Sequence, residues 1–359
     1  MTETRPKILI VDDETFYIDV LMNLLQDDYH ITVAKDGKTA LKRISENSLP
    51  DLVLLDILMP GMDGYEVCKQ IKKLTQPHYV PVIFLTVKGE VEDEIKGFEL
   101  GAADYISKPF SPPIVKARVR SQINLANHQH LLERVISERT EEIARTRDVA
   151  IYCMASLAET RDNETGKHIQ RTQSYVKALA TQLKAHPKFK NYLDEERIEL
   201  LYRAAPLHDI GKVGVPDRVL LKPGKLDEAE WHEMKRHTEY GLNAIENAEK
   251  ELGNTPLLDV AKTIAYTHHE RWDGTGYPSA LKGDDIPISG RLMALADVYD
   301  ALISKRVYKE AFSHEKAVEI ISQSSGTHFD PDVVEAFMVQ EQTFKSIAER
   351  LKDRENGSD

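Results

Sequence analysis

Two adjacent histidines open a glycine-rich loop in the second half of the chain, and packing alone does not explain this pattern. The run begins with His268 and His269 and ends with Gly276-Tyr277-Pro278. The same half of the chain holds further side chains of the types that bind transition metals, namely Glu164, His168, His208, Asp209, His237 and Asp297. Imidazole nitrogens and carboxylate oxygens collected in this way predict a site for metal-assisted hydrolysis.

The spacing of these residues indicates how they could reach common ions. Glu164 and His168 are four residues apart, so on a helix they stack on one face. Asp209 follows His208 at a predicted helix end, where one carboxylate can bridge two ions while its neighbour binds one. Asp297 lies in an apolar run, and a cation there would offset the cost of burying a charge.

The composition limits the class of protein and the kind of metal site. A length of 359 residues predicts about two domains. No apolar run approaches the roughly 20 residues of a membrane span, and the polar N-terminus lacks a secretory signal, so we expect a cytoplasmic protein without membrane contact. Cys68 and Cys153 are too few for a thiolate cage, so a metal must be held by histidines and carboxylates. A net charge of -12 argues against a DNA-binding face, which needs clustered lysine and arginine.

The N-terminal part of the chain alternates β-branched runs with amphipathic helical stretches, which predicts a parallel sheet. The predicted strands are Ile8 to Val11, Ile31 to Ala34, Leu52 to Leu55, Val82 to Leu85 and a weak fifth at Tyr105-Ile106. Ligand sites in such folds lie beyond the carboxyl ends of the strands. Asp12, Asp13, Asp56, Thr86 and Lys108 fall at these ends. Three clustered carboxylates repel one another unless they hold a hard cation, and Mg²⁺ prefers their oxygen ligands.

Residues 1–122 therefore resemble a response-regulator receiver domain, with a flavodoxin-like, doubly wound fold. The motifs that carry the resemblance are Asp12-Asp13, Asp56 to Gly64, Thr86 and Lys108-Pro109-Phe110. The resemblance implies that a cognate sensor histidine kinase phosphorylates Asp56, and that Mg²⁺ is held by Asp12, Asp13, Asp56 and the carbonyl of Leu58. It also implies that Thr86 and Lys108 bind the phosphoryl group and that Tyr105 is the aromatic switch residue.

A long helix is predicted after the receiver domain, because no strong helix breaker follows Pro113. Apolar residues recur along it at heptad spacing, among them Leu125, Leu132, Ile136, Ile143 and Ala150, although Arg139 and Thr146 interrupt one seam. Two interpretations stay open for the linker at residues 123–150: a helical pair that forms a homodimer, and a solvated spacer.

Residues 151–350 are predicted to be almost entirely helical, with a polar tail at 351–359. The predicted helices include Lys167 to Leu183, Glu195 to His208, Glu228 to Asn247, Leu257 to Thr267 and Ser289 to Ser304. This part resembles the HD-GYP phosphodiesterases of the HD metal-hydrolase superfamily. The motifs that carry this resemblance are His208 to Lys212, the His268 to Pro278 run, Glu164 to His168, His237, Asp297 to Ala301 and Arg306 to Lys309.

The resemblance to this family implies a metal centre that hydrolyses cyclic di-GMP to pGpG and GMP. One metal site would comprise His168, His208, Asp209 and Asp297, and Asp209 would bridge to a second with His237, His268 and His269. Glu164 matches the carboxylate that gives some members a third ion, and iron or manganese suits these ligands. The implied catalytic residues are His208, Asp209 and Lys212. The implied substrate-binding residues are Lys212, Gly276, Tyr277, Arg306 and Lys309.

Three alternatives stay open at this stage. The substrate is also consistent with pGpG or a cyclic GMP-AMP dinucleotide, because the sequence does not define the base contacts. A non-catalytic cyclic-dinucleotide receptor or scaffold, with a diguanylate-cyclase-type protein as partner, is the second. The third concerns single residues: an isolated histidine such as His237 is more often structural, and Arg306 and Lys309 could be surface charges.

Overall fold

The computed structural model describes residues 5–46, 48–87, 97–161, 166–304 and 311–352. The chain divides into two compact units, Met1–Glu142 and Ile143–Asp359.

A parallel sheet of five strands forms the centre of the first unit. The strands are β1 (Lys7–Val11), β2 (His30–Ala34), β3 (Leu52–Asp56), β4 (Val82–Val87) and β5 (Asp104–Lys108), in the order β2-β1-β3-β4-β5. The helices described between them are α1 (Thr15–Leu25), α2 (Gly37–Glu46) and α3 (Gly64–Leu74). Alternate strand residues enter two separate apolar cores, which explains the nearly continuous apolar strand sequences. The predicted doubly wound α/β fold is confirmed.

The strand register brings the candidate receiver residues to one edge of the sheet. β1 ends immediately before Asp12, β3 ends at Asp56, and β5 ends at Lys108. Asp56 pairs with Leu85, so Thr86 follows at the same edge. The carboxyl ends of the strands therefore collect the acids, the hydroxyl and the ammonium group.

One long helix, α4 (Pro112–Thr160), follows the sheet. It agrees with the helix expected from the absence of breakers after Pro113. None of the helices in the described part of the chain is long and apolar enough to cross a membrane.

The second unit is helical around a large apolar core, as predicted. After α4 its helices are α5 (Gly166–Leu183), α6 (Glu195–Ala204), α7 (Asp217–Leu220), α8 (Glu228–Lys235), α9 (His237–Leu252), α10 (Pro256–Thr267), α11 (Ile288–Ile303), α12 (His314–Gln323) and α13 (Pro331–Arg350). Short 3₁₀ turns cover Ala205–Leu207, Ile210–Gly214 and Gly283–Asp285.

The single helix expected from Glu228 to Asn247 is two helices, with a break at Arg236. At this point side chains compete with backbone N–H groups for the helix carbonyl groups. The His237 ring lies 2.8 Å from the Met234 carbonyl through Nδ1, and the Thr238 hydroxyl donates to the Lys235 carbonyl. Such local bonds replace the backbone pairing that would continue a helix.

The helix expected from Glu195 to His208 ends at Ala204 and tightens into a 3₁₀ turn. Pro206 has no N–H to donate to a continuing α-helix. The tighter turn sets the direction in which His208 and Asp209 leave the helix.

Candidate metal centre

Five separate segments carry the candidate metal ligands. His168 lies on α5, and His208 and Asp209 follow the 3₁₀ turn after α6. His237 is the first residue of α9, His268 caps α10, and Asp297 lies on α11. Packing of these helices around the apolar core is therefore what assembles the site.

The structure brings seven of the predicted ligands into two groups. In each group one ligand atom per residue lies within 4.8 Å of the others. The first group is His168, His208 and Asp297, and the second is Asp209, His237, His268 and His269.

The carboxylate of Asp209 lies between the two groups. Its Oδ2 atom is 3.3 Å from Nε2 of His208 in the first group. Its Oδ1 atom is 3.3 Å from Nε2 of His237 and 3.5 Å from Nε2 of His268 in the second. One oxygen thus faces each group, which is the arrangement of a bridging carboxylate.

Four of the histidines are oriented by a contact at Nδ1. Nδ1 of His208 and of His237 lies 2.9 Å and 2.8 Å from the carbonyls of Ala205 and Met234. Nδ1 of His268 lies 3.0 Å from a carbonyl of α10, and Nδ1 of His168 lies 2.9 Å from the Asp300 carboxylate. Carbonyl and carboxylate oxygens only accept hydrogen bonds, so Nδ1 donates and Nε2 keeps its lone pair.

The lone pairs then face other acceptors, which is unfavourable without a cation. Nε2 of His237 lies 3.4 Å from Nε2 of His268. Nε2 of His208 and Oδ1 of Asp209 are buried and make no hydrogen bond. Burial lowers the pKa of His237 to about 4 and also lowers the pKa of His269, which favours the neutral form of these two imidazoles. The residues present therefore fit divalent cations.

Lys212 is positioned by the 3₁₀ turn that follows Asp209. Its ammonium group lies 2.9 Å from Oδ2 of Asp209. Burial opposes ionisation of Asp209, but the neighbouring charges, with Lys212 the largest, outweigh it, so the pKa of the carboxyl falls well below its usual value. The position between the two ligand groups therefore holds a carboxylate with the ammonium group of Lys212 beside it.

The glycine-rich loop places an aromatic ring against the second ligand group. The Tyr277 ring centroid lies 4.8 Å from that of His269. Glu270 holds the loop closed, because its buried carboxylate accepts the N–H groups of Ser279 and Leu281 at 2.8 and 3.0 Å. A Cβ on Gly276 would approach the Arg271 nitrogen to 2.3 Å, so glycine is required here for close packing of the loop.

A second buried cluster lies at the sheet edge of the first unit. One oxygen from each of Asp12, Asp13 and Asp56 lies within 4.8 Å of the others. Lys108 Nζ lies 2.9 Å from Asp12 and 3.1 Å from Asp56. Burial, with the nearby Asp12 charge, raises the pKa of Asp56 to about 6. Concentrated negative charge of this kind favours a bound hard cation.

The other predicted receiver residues lie around this cluster with different exposure. Thr86 and Tyr105 both line a small cleft, together with Ile57 and Phe98. The Leu58 side chain is 72% exposed, so any contribution of this residue to the site comes from its backbone.

Comparison with known proteins decides the family of the chain. A family model described as "HD domain" matches residues 152–333, and one described as "Response regulator receiver domain" matches residues 8–120. The chain belongs to the HD-domain family. It also carries an N-terminal receiver domain of the response-regulator family.

Two relatives align with this HD-domain protein over both of its parts, and a third aligns over a shorter stretch. A "Probable cyclic di-GMP phosphodiesterase" of Vibrio cholerae is 52% identical over 97% of this chain and 81% of its own length. The "Cyclic di-GMP phosphodiesterase response regulator RpfG" of Xanthomonas campestris is 34% identical over 92% of this chain and 86% of its own length. A "3'3'-cGAMP-specific phosphodiesterase 2" of Vibrio cholerae is 42% identical over 59% of this chain and 38% of its own length.

These matches confirm the predicted combination of a receiver domain and an HD-type hydrolase domain. Membership of the HD-domain family implies divalent metal binding in the second unit, where the two ligand groups lie. The receiver domain implies a kinase as partner.

Three residues of the predicted HD-domain site lie outside the described residues. They are Glu164, Arg306 and Lys309. Their roles at the metal centre and in substrate binding stay predictions.

The structure adds buried charged residues that the sequence patterns did not single out. Asp300 contacts His168 and receives two bonds from the Arg171 guanidinium, at 2.6 and 2.8 Å. Glu159, at the end of α4, is buried with one oxygen 3.9 Å from Nε2 of His168. In the sequence, Asp300 lies inside the Asp297 to Ala301 run without an assigned role, and Glu159 is an acid beside an apolar stretch.

Proposed function

We propose that the protein is a phosphorylation-regulated, metal-dependent phosphodiesterase that hydrolyses cyclic di-GMP to pGpG and further to GMP. The observation that carries this proposal is the position of Asp209 between two ligand groups. A carboxylate that binds two cations holds them close together, as phosphodiester hydrolysis by two metal ions requires.

We infer that His168, His208 and Asp297 would hold one ion, that His237, His268 and His269 would hold another, and that the two ions would share Asp209. Iron or manganese fits this nitrogen and oxygen ligand set, and Glu164 is our candidate for a third-ion ligand. When bound, the ions supply Lewis-acid activation of water and of the phosphodiester.

The chain's own side chains then orient the substrate and balance its charge. Lys212 lies beside the bridging carboxylate and is placed to pair with a non-bridging phosphate oxygen. We propose that Arg306 and Lys309 bind the remaining phosphate charge. The Tyr277 ring, which packs against His269, would form one wall of the nucleoside-binding site.

In the receiver domain we propose that Asp56 accepts the phosphoryl group from a sensor histidine kinase. Asp12, Asp13 and the carbonyl of Leu58 would hold Mg²⁺ with Asp56. Lys108 already contacts Asp56 at 3.1 Å and would neutralise the incoming phosphoryl charge. Thr86 and Tyr105 line one small cleft, so we propose that the ring repacks beside Thr86 when the hydroxyl turns to the phosphate.

We also propose that α4 pairs with a second copy of itself. Leu125, Leu132, Ile136 and Ile143 keep the heptad spacing and are 56–69% exposed. Cys153 is exposed and occupies the same heptad position as Leu125, whereas Cys68 is buried. A parallel homodimer would bring the two Cys153 thiols together. Mild oxidation should then give a covalent dimer that a Cys153→Ser variant does not form, whereas a monomer in light scattering with no cross-link would favour the solvated spacer.

The relative named as a cyclic GMP-AMP enzyme supports a second candidate substrate. We propose a competition assay in which the protein, loaded anaerobically with Fe²⁺ or Mn²⁺, receives cyclic di-GMP, 3'3'-cGAMP and pGpG at equal concentration. Chromatography of the products gives the ratio of kcat/KM values. We expect cyclic di-GMP to be consumed first; faster loss of 3'3'-cGAMP would assign the second substrate, and tight binding without products would favour a receptor.

A further inference from the structure

Helix α8 (Glu228–Lys235) presents an exposed tryptophan next to the metal centre. No residue of this helix is buried, and the Trp231 side chain is 48% exposed. A large aromatic side chain left half in water at the edge of an active site is not accounted for by core packing.

The Trp231 ring is separated from the second ligand group by the Tyr277 ring. Its ring centroid is 6.3 Å from that of Tyr277, at an angle of 78°. The Tyr277 ring in turn lies 4.8 Å from His269. The three rings therefore form a continuous aromatic surface that leads outward from the second group of metal ligands.

A positive charge accompanies this surface. Lys235 follows Trp231 by four residues, so the two side chains share one face of α8. Its ammonium group lies 5.9 Å from the centroid of the Tyr277 ring. An anionic ligand that extends from the metal centre over Tyr277 would meet this cation.

We propose that Trp231 stacks on a purine base of the nucleotide substrate, with Lys235 beside it as a partner for the ligand's negative charge. This inference rests on the proposed function. A nucleotide carries its base at the end opposite its phosphate, so a phosphate held at the metal ligands directs the base across the neighbouring surface. A half-exposed indole at this position is suited to receive that base.

Stacking has a consequence for selectivity. Every base has a flat π-face, so an indole binds purines with little regard to their edge groups. Trp231 therefore contributes affinity for cyclic di-GMP and 3'3'-cGAMP alike and does not distinguish between them.

The test compares the parent with Trp231→Leu and Trp231→Phe in the full-length, metal-loaded protein. For Trp231→Leu we expect KM for both cyclic dinucleotides to rise about 5- to 150-fold. Inhibition by inorganic phosphate, which has no base, should keep its Ki, and the metal content should not change. Trp231→Phe should retain most of the affinity because it keeps an aromatic face.

A second measurement covers the case in which Trp231→Leu does not fold or the parent does not turn over. Trp272→Phe leaves Trp231 as the one tryptophan of the chain. Cyclic di-GMP should quench the fluorescence of Trp231, because a base stacked on the excited indole lets it return to the ground state without emitting light.

The outcomes separate this inference from the proposed function. Hydrolysis by Trp231→Leu with an unchanged KM would overturn the stacking inference and leave the phosphodiesterase standing. A parent that never hydrolyses a cyclic dinucleotide, yet shows quenching of Trp231, would overturn the proposed function and support the inference. Absence of quenching would overturn the inference in either case.

Discussion

The carboxylate of Asp300 lies 2.9 Å from Nδ1 of His168 and fixes which nitrogen of that ring faces the metal centre. Asp300 is itself held by the Arg171 guanidinium through two bonds. Burial opposes its ionisation, but His168 and Arg171 outweigh it and lower the pKa of Asp300. A charged carboxylate on the far side of an imidazole orients the ring and raises its basicity as a ligand.

Replacing Asp300 by asparagine should therefore weaken metal binding without touching a proposed ligand. We expect metal affinity to fall about 10- to 100-fold, because outer partners of ligating histidines have effects of this size. Titration with Mn²⁺, followed by metal analysis of the isolated protein, measures the change.

Asp330→Asn is the matched control for this variant. Asp330 is also buried and also pairs with a buried arginine, Arg291, at 2.8 Å. Both substitutions remove the carboxylate charge that pairs with a buried guanidinium, so each should lower the free energy of unfolding by roughly 3–5 kcal/mol at most. Only Asp300→Asn should change metal affinity, and equal loss of metal in both variants would contradict the orienting role of Asp300.

Gly211 should be intolerant of even one added methyl group. A Cβ there would lie 1.9 Å from the carbonyl oxygen of His237 and 2.4 Å from the nitrogen of Gly241. Because the obstacle is backbone, we expect Gly211→Ala to cost about 3 kcal/mol or more of unfolding free energy and to displace the ligand His237. Urea denaturation and metal content measure the two effects.

Gly241→Ala provides the graded comparison for that variant. Its added methyl group would meet Ala265 at 3.3 Å, a contact that a small shift relieves. The loss should be under about 1.5 kcal/mol, with the metal retained. Comparable effects of the two substitutions would show that the packing of His237 against Gly211 is not critical.

Stability should depend on pH through His328. Burial, assisted by the Arg271 charge, lowers the pKa of His328 to about 4, whereas an unfolded histidine titrates near 6.5. The folded state therefore binds fewer protons between these values. The contribution of the neutral His328 ring to the free energy of unfolding is fully present above pH 6.5 and is lost as the pH falls toward 4. Since the ring is only partly buried, we expect about 1–2 kcal/mol.

His328→Phe removes this titration and keeps a ring to stack on Phe329, whose centroid is 4.3 Å away. Both tryptophans of the chain, Trp231 and Trp272, lie in the second unit, so their fluorescence follows unfolding of that unit alone. The loss of unfolding free energy from pH 7 to pH 4 should be smaller in the variant. An identical loss in parent and variant would exclude His328 as the cause.

Phosphorylation should require Asp56 and Mg²⁺. With acetyl phosphate as donor, the parent should take up one phosphoryl group, and Asp56→Asn should take up none. Asp51→Asn is the control, because Asp51 precedes the same strand and accepts the Lys7 N–H at 2.6 Å, at the opposite edge of the sheet. A phosphate-affinity gel separates the forms. Labelling of Asp56→Asn would contradict the assignment of Asp56 as the phosphorylated residue. The phosphodiesterase rate of the labelled parent shows whether phosphorylation raises or lowers the activity.

Much of the fold and the metal ligands were predictable, because both leave local signals. The strands of the receiver domain are short apolar runs that end in acids, and their register is set by the parallel sheet. His208-Asp209 and His268-His269 stand out by residue type, since adjacent ligands are rarely needed for packing.

Other features depend on contacts that no local pattern contains. Asp300 and His168 are 132 residues apart, so the orienting pair exists only once α5 packs on α11. The break at Arg236 arises from side chains that take the carbonyls of α8, whereas the apolar spacing continues through it. Trp231 appears as an ordinary helix residue until the loop carrying Tyr277 lies beside it.

The most direct test of the account is cyclic di-GMP hydrolysis by Asp209→Asn beside the parent, both loaded anaerobically with Fe²⁺ or Mn²⁺. The variant keeps the shape of the side chain and removes the charge shared by the two ligand groups. We predict turnover with two or more ions per chain in the parent, and loss of turnover with fewer ions in the variant. A variant that hydrolyses cyclic di-GMP at the parent's rate, or a fully metal-loaded parent that binds it without turnover, would contradict the account.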